Sequence, residues 1–182
     1  MCASNSNAAA PSYTPVVAPD MLTWQCWSEN LTATPQRGRL NVPALSPLEQ
    51  LNVTDDATDY LFYTTVVTYL PPSSTITFDG WKSNAYLVFA DGVLVGSSFD
   101  ASHDYDTGKM NVTLTLSHVL QDTFTLAILS VSLGLHNSVN VGRLGSEQES
   151  KGIVGSVMMG STDVTNNGWT MLPFLDGELK QV

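Results

Sequence analysis

LEQLNVTDDATDYLFYTT (residues 48–65) opens in polar and acidic residues and closes in a dense run of aromatic and β-branched ones. From Tyr60 that run continues as YLFYTTVVTY (60–69), the composition of a pleated strand. Residues 75–79 follow after the break at Pro71-Pro72, and they alternate: Ile76 and Phe78 fall on one face, Thr75 and Thr77 on the other. Asp91-Gly92 stands between YLVFA and VLVGSS. A two-residue hairpin turn needs positive φ at both central positions, which Asp-Gly supplies cheaply. Residues 112–116 alternate again, and TFTLAILS (123–130) becomes continuously apolar, as a strand covered on both faces does. Residues 134–152 dissolve into Gly, Asn, Ser and Glu, the composition of a long loop. Strand character returns at 153–159 and 169–172, and the one weak helical stretch is 146–151. Many short strands punctuated by turns, with no amphipathic helix, predict an all-β sandwich.

The opening stretch also resembles a signature, "LEQ-x-N-x-T-x-D-x-x-DYLWY-x-T", of the plant-type β-galactosidases. Leu48, Glu49, Gln50, Asn52, Thr54, Asp56, Asp59, Tyr60, Leu61, Tyr63 and Thr65 match it, and Phe62 replaces a Trp. AYLVFADGVLVGS (85–97) is similar to the family's "HVFVNG-x-x-xG" hairpin, and ILSVSLGLHN (128–137) to "LLS-x-x-VGL-x-N". KGIVGSV (151–157) is similar to "G-x-x-GPV", with Ser156 for Pro. Residues 163–178 resemble the closing "DLT-x-x-x-W-x-x-x-x-GL-x-GE", with Val164 for Leu and Phe174-Leu175 in the "GL" region. WQCWSE (24–29) resembles the aromatic-acidic segment that precedes the domain. The resemblance implies a jelly-roll β-sandwich of two antiparallel sheets, galactose-binding-domain-like, lying outside the catalytic barrel. It further implies a parent enzyme that releases terminal β-linked galactose with retention. The parent's barrel and other domains are then the expected partners. The expected location is the secretory pathway, lysosomal or extracellular.

The bulk properties fit one domain of 182 residues, with 43% hydrophobic and 13% charged residues. Residues 1–20, MCASNSNAAAPSYTPVVAPD, read as a flexible tail or linker without a targeting signal, and 21–182 as the sandwich. No apolar run approaches the roughly 20 residues of a membrane span. A net charge of −10 argues against nucleic acid and anionic membrane as partners, since phosphate binding needs clustered Lys and Arg. Cys2 and Cys26 are too few for a disulfide framework. Asn30, Asn52 and Asn111 each open an Asn-x-Thr sequon, compatible with passage through the secretory pathway.

Retaining glycoside hydrolysis needs two carboxyl groups about 5–5.5 Å apart. The family resembled here carries both on a barrel of about 250 residues that alternates strands with helices, a pattern absent from this sequence. Glu29, Glu49 and Glu178 fall in motifs outside that barrel, and turn, capping or surface roles are expected of them. No catalytic residue and no cofactor is expected. Asp100, Asp104 and Asp106 crowd one loop, and carboxylates with backbone oxygens are the ligand set of Ca²⁺; they are candidates for a structural Ca²⁺, against a solvated acidic loop. Sugars stack on aromatic rings and hydrogen-bond to Asn, Glu and Arg. Trp81 at a strand end, with Asn137, Arg143 and Glu147 from the long loop, is therefore the candidate set for galactose-containing glycans. A large indole also serves in cores, the role preferred for Trp81 too and still more for Trp24, Trp27 and Trp169, which match the packing motifs of the resemblance. The main expectation is a non-catalytic accessory domain that braces a barrel; the alternative is a carbohydrate-binding module.

Overall fold

A computed structural model describes residues 29, 40–68, 75–81, 84–99, 108–116, 122–134 and 150–180. Among them lie the strands β1 (Val42–Ala44), β2 (Tyr60–Thr68), β3 (Thr75–Trp81), β4 (Asn84–Ala90), β5 (Val93–Phe99) and β6 (Lys109–Thr115). They are followed by β7 (Thr123–Ser132), β8 (Ile153–Met159), β9 (Thr162–Asp163) and β10 (Trp169–Pro173). Two five-residue helices, α1 (Gln50–Thr54) and α2 (Asp176–Lys180), complete the described elements. The strands build a six-stranded antiparallel sheet, β1-β10-β2-β7-β4-β5, and a four-stranded one, β6-β3-β8-β9. Neither closes into a barrel. The chain is an all-β sandwich.

The two-residue period sorts the side chains between layers. Leu61, Tyr63 and Val67 of β2, Tyr86 and Val88 of β4, Leu126 and Ile128 of β7 and Trp169 and Met171 of β10 point inward from the larger sheet. Ile76, Phe78, Val112, Val157 and Met159 meet them from the smaller. Phe78 and Tyr86 pack edge to face across the core, their ring centroids 5.1 Å apart, a favoured aromatic geometry. The β4–β5 hairpin turns at Asp91 and Gly92, with φ of 47° and 79°, as Asp-Gly requires. The Asp91 carboxylate also accepts the Thr125 N–H at 2.8 Å, tying the turn to β7.

The two outer faces differ. Across the six-stranded sheet, Leu172, Phe62, Leu129 and Leu87 face one another in register on four neighbouring strands. The next rung is Tyr60, Val131, Ala85 and Phe99. Phe62, Leu129 and Leu172 form a second buried apolar cluster, with Tyr60, Leu87, Phe89, Val131 and Leu175 packed on it. Leu94 and Phe99 on the same side are exposed. An antiparallel sheet with one solvated face alternates apolar and polar residues; this one is apolar on both. The outer face of the four-stranded sheet is polar, with rungs Thr75–Thr115, Thr77–Thr113 and Asp79–Asn111.

One feature corrects the sequence reading, and one bears on the Trp81 candidate. α1 and α2 arise where no helix is expected, because each is too short to show a 3.6-residue period. Trp81 is only 7% exposed, and it belongs to neither apolar cluster. Its ring lies over Gly108, where an added Cβ would collide with it. The ring is therefore a covered packing element and offers no free face for a sugar to stack on.

Candidate functional site

The signature Leu48-Glu49-Gln50 organises one end of the sandwich. Glu49 sits at the N-cap of α1 with extended backbone, φ −59° and ψ 137°. Its carboxylate accepts the N–H groups of Leu51 at 3.0 Å and Asn52 at 2.9 Å. One of its oxygens also accepts the N–H of Lys151 at 2.6 Å. Helix N-termini leave N–H groups without intrahelical partners, and a carboxylate there suits both the bonds and the dipole. The Gln50 N–H in turn donates to the Lys151 carbonyl at 3.0 Å. Residues 49 and 50 thus grip residue 151 by both its backbone groups. At the other end of α1, Asp55 turns left-handed with φ 49° and returns its N–H to the Leu51 carbonyl.

Gln50 is fully buried, and its amide is used on both sides. Nε2 donates to the Asp59 carbonyl at 3.0 Å. Oε1 accepts from Ser130 Oγ at 2.8 Å and Asn84 Nδ2 at 3.2 Å. Asn84 Nδ2 also donates to Ser130 Oγ at 2.7 Å. The set links α1, β4 and β7 through side chains that would be costly to bury unbonded. Lys151 is buried as well, with Nζ donating to the Gly134 carbonyl at 2.6 Å.

Two phenols line the inner side of this junction. Tyr86 accepts the Trp81 N–H at 2.8 Å and donates to the Gly152 carbonyl at 2.8 Å. Tyr63 accepts the Ile153 N–H at 3.4 Å. Burial pushes both phenols well above the ordinary tyrosine range, against the smaller downward pull of the N–H groups they accept. Gly152 has φ 74° and lies so close to Tyr63 and Gln50 that a Cβ would strike both.

An open cleft of about 500 Å³ lies beside the junction. Ser46, Glu49, Asn52, Ser150, Ile153 and Thr165 are among the residues that line it. Its described lining presents the hydroxyls of Ser46, Ser150 and Thr165, the amide of Asn52 and the carboxylate of Glu49, and includes no aromatic ring. Among its described lining residues Glu49 is the one carboxylate, already accepting three backbone N–H groups. The other two glutamates of the signature motifs are similarly engaged. Glu178 accepts from the Thr58 hydroxyl at 3.0 Å and the Leu175 N–H at 2.7 Å, and Glu29 from the Asp176 N–H at 2.7 Å.

Of the residues proposed from sequence, Asn137, Arg143 and Glu147, the loop aspartates Asp100, Asp104 and Asp106, and Asn30 lie outside the described residues. Asn52 is exposed on α1 and borders the cleft; Asn111 is exposed on β6. Among the described residues no three His, Cys, Asp or Glu side chains gather to hold a metal ion. Sequence reasoning missed Gln50, Asn84, Ser130 and Lys151. The first two stand in strand- and helix-flanking positions that ordinarily face water, and only the register of distant strands brings them together.

Fold and junction define the class: a two-sheet antiparallel β-sandwich whose signature residues staple its end loops. Comparison with known proteins carries the assignment further. The chain is 33% identical over 149 residues to probable β-galactosidase 2 of Dictyostelium discoideum, covering 76% of this chain and 17% of that protein. It is 28% identical over 173 residues to β-galactosidase 11 of Oryza sativa subsp. japonica, covering 87% of this chain and 19% of that protein. β-Galactosidase 12 of the same organism is 28% identical over 176 residues, 87% of this chain and 18% of the relative. No protein-family model matches the chain. The chain is a homologue of one segment of the β-galactosidases, and it spans less than a fifth of the length of these curated relatives.

Proposed function

We propose that the chain acts as a non-catalytic accessory domain of a β-galactosidase-type glycoside hydrolase, bracing the catalytic barrel. The observation that carries this reading is the outer face of the six-stranded sheet. Its apolar rungs run across β10, β2, β7 and β4 and end in the exposed Leu94 and Phe99. The centre of the face, Phe62, Leu129 and Leu172, is already buried within the chain, so the exposed end at Leu94 and Phe99 is the apolar surface left for a second body. The engagement of Glu29, Glu49 and Glu178 in backbone and hydroxyl hydrogen bonds supports the same reading. The working location is the secretory pathway, in a lysosome or outside the cell; no helix among the described residues is long and apolar enough to cross a membrane.

A chimera tests it. The matched segment of the Dictyostelium relative is deleted, or replaced by this chain, and hydrolysis of a nitrophenyl β-galactoside is followed. The deletion is expected to abolish folded, active enzyme and the replacement to restore part of it. Leu94→Asp and Phe99→Asp in the inserted chain are expected to undo the restoration. Full activity after deletion would overturn the accessory role.

The cleft beside Glu49 supports a second reading, a carbohydrate-binding module for galactose-containing glycans. Its hydroxyl and amide lining suits sugar hydroxyls, although its described lining lacks the stacking ring that gives most such sites their affinity. An amide NMR titration with galactose, lactose and a β-galacto-oligosaccharide separates the two. Shifts confined to Ser46, Asn52, Ser150 and Thr165 favour the module; none at millimolar sugar leaves the bracing role.

A further inference from the structure

We propose that Asn111 is an N-glycan attachment site, and that its glycan guards the edge of the four-stranded sheet. Asn111, Val112 and Thr113 form a sequon inside β6, the terminal strand of that sheet. The strand's alternation settles which way each residue points. Val112 is 1% exposed and packs in the core, so Asn111 and Thr113 project together from the outer face, and both are exposed. The Thr113 hydroxyl donates to Asn111 Oδ1 at 3.1 Å. Hydroxyl and acceptor amide are thus already paired on one open surface. Asn111 Nδ2 donates to Asp79 Oδ1 at 3.2 Å. An amide nitrogen carries two hydrogens, so a glycosylated Nδ2 keeps one with which to hold that bond.

Asn52 presents the opposite case. Its sequon hydroxyl belongs to Thr54, which is 4% exposed and donates to the Gln50 carbonyl at 3.1 Å. The same residues must close the Glu49–Lys151 junction, so folding withdraws the hydroxyl from use. The Asn111 sequon keeps its hydroxyl, that of Thr113, at the surface of the folded chain.

The chemistry is a group transfer from a lipid-linked diphospho-oligosaccharide, catalysed by a membrane transferase. A bond forms between Asn111 Nδ2 and C1 of the first sugar. The bond from C1 to the phosphate oxygen breaks, the lipid diphosphate leaves, and Nδ2 gives up one proton. The product places a bulky hydrated group over a polar face that displays Thr75, Thr77, Thr113 and Thr115. Edge strands invite pairing with other chains, and a glycan blocks that approach. The glycan stands on the other sheet from the apolar outer face, so the inference does not depend on what covers that face.

The test uses the full chain secreted from a eukaryotic host behind a cleavable signal. Folded monomer is isolated, and glycans are removed in heavy-oxygen water by an amidase that converts each occupied Asn to labelled Asp. Labelled Asp is expected at position 111 and not at 52. N111Q and T113V are each expected to remove the gel shift of one glycan, and T113S to retain it. N111Q is also expected to form more aggregate at equal concentration. Unlabelled Asn111 in the folded secreted chain, or a gel mobility unchanged by T113V, would overturn the proposal.

Discussion

The Glu49 carboxylate holds the backbone N–H of Lys151 at 2.6 Å, joining residues 102 positions apart. The same carboxylate caps α1, so one side chain both starts a helix and fastens the entry to β8. Glu49→Gln keeps an acceptor oxygen but loses the charge, and is expected to cost about 1–2 kcal/mol. Glu49→Ala strands all three N–H groups, and about 2–4 kcal/mol is expected, since the net worth of a bond to a charged group is about 1.5–3 kcal/mol and water can reach the more exposed of the three N–H groups. Urea unfolding midpoints at constant slope give both values.

Gln50 should show strong coupling to Ser130. Gln50→Leu takes one donor from the Asp59 carbonyl, which keeps the Ser132 N–H, and removes the acceptor shared by the Ser130 hydroxyl and Asn84 amide, which keep only their bond to each other; a loss of about 2–3 kcal/mol is expected. Ser130→Ala in the same background is expected to cost less than it does alone, because the bond from its hydroxyl to Gln50 is already gone. A double-mutant cycle measures the difference.

The two described indoles are expected to respond differently to the same change. Trp169 Nε1 donates to the Val164 and Thr165 carbonyls at 3.1 and 3.0 Å, whereas Trp81 Nε1 is buried with no hydrogen-bond partner. Phe removes similar volume at both sites. At Trp169 it also breaks bonds, while at Trp81 it relieves an unpaired donor. Trp169→Phe is therefore expected to destabilise by about 1–2 kcal/mol more than Trp81→Phe, read from thermal unfolding of both variants.

Much of the fold could be read from local pattern, because strand period and turn chemistry are local properties. Asp91-Gly92 located the β4–β5 hairpin, and the apolar run from Phe124 to Leu129 marked β7 as covered on both sides. The junction could not be read that way. Gln50 and Ser130 stand 80 residues apart, and nothing near either one shows that it is buried. α1 was hidden because its cap is a glutamate at a position where Ser, Thr, Asp or Asn is the usual signal. Trp81 stands at the end of β3, a place from which a side chain can reach solvent, yet its ring lies over Gly108, where the absence of a Cβ leaves it room.

Stability should fall in alkali. Burial raises the Tyr63 and Tyr86 phenols in the folded chain, while in the unfolded chain they titrate near 10. Above about pH 10 the unfolded state gives up protons that the native state keeps, so unfolding free energy declines as pH rises. Below that range both states are protonated and these two groups add no slope. Urea titrations from pH 8 to pH 11 are expected to show the decline, with a shallower one for Tyr63→Phe.

The accessory role is tested most directly by incubating the purified chain with a nitrophenyl β-galactoside and following release of nitrophenol over hours. No release above a buffer blank is expected, because Glu29, Glu49 and Glu178 hold backbone and hydroxyl groups of their own chain. Steady turnover by the isolated chain, lost in Glu49→Gln, would contradict the account and move the chemistry into the cleft.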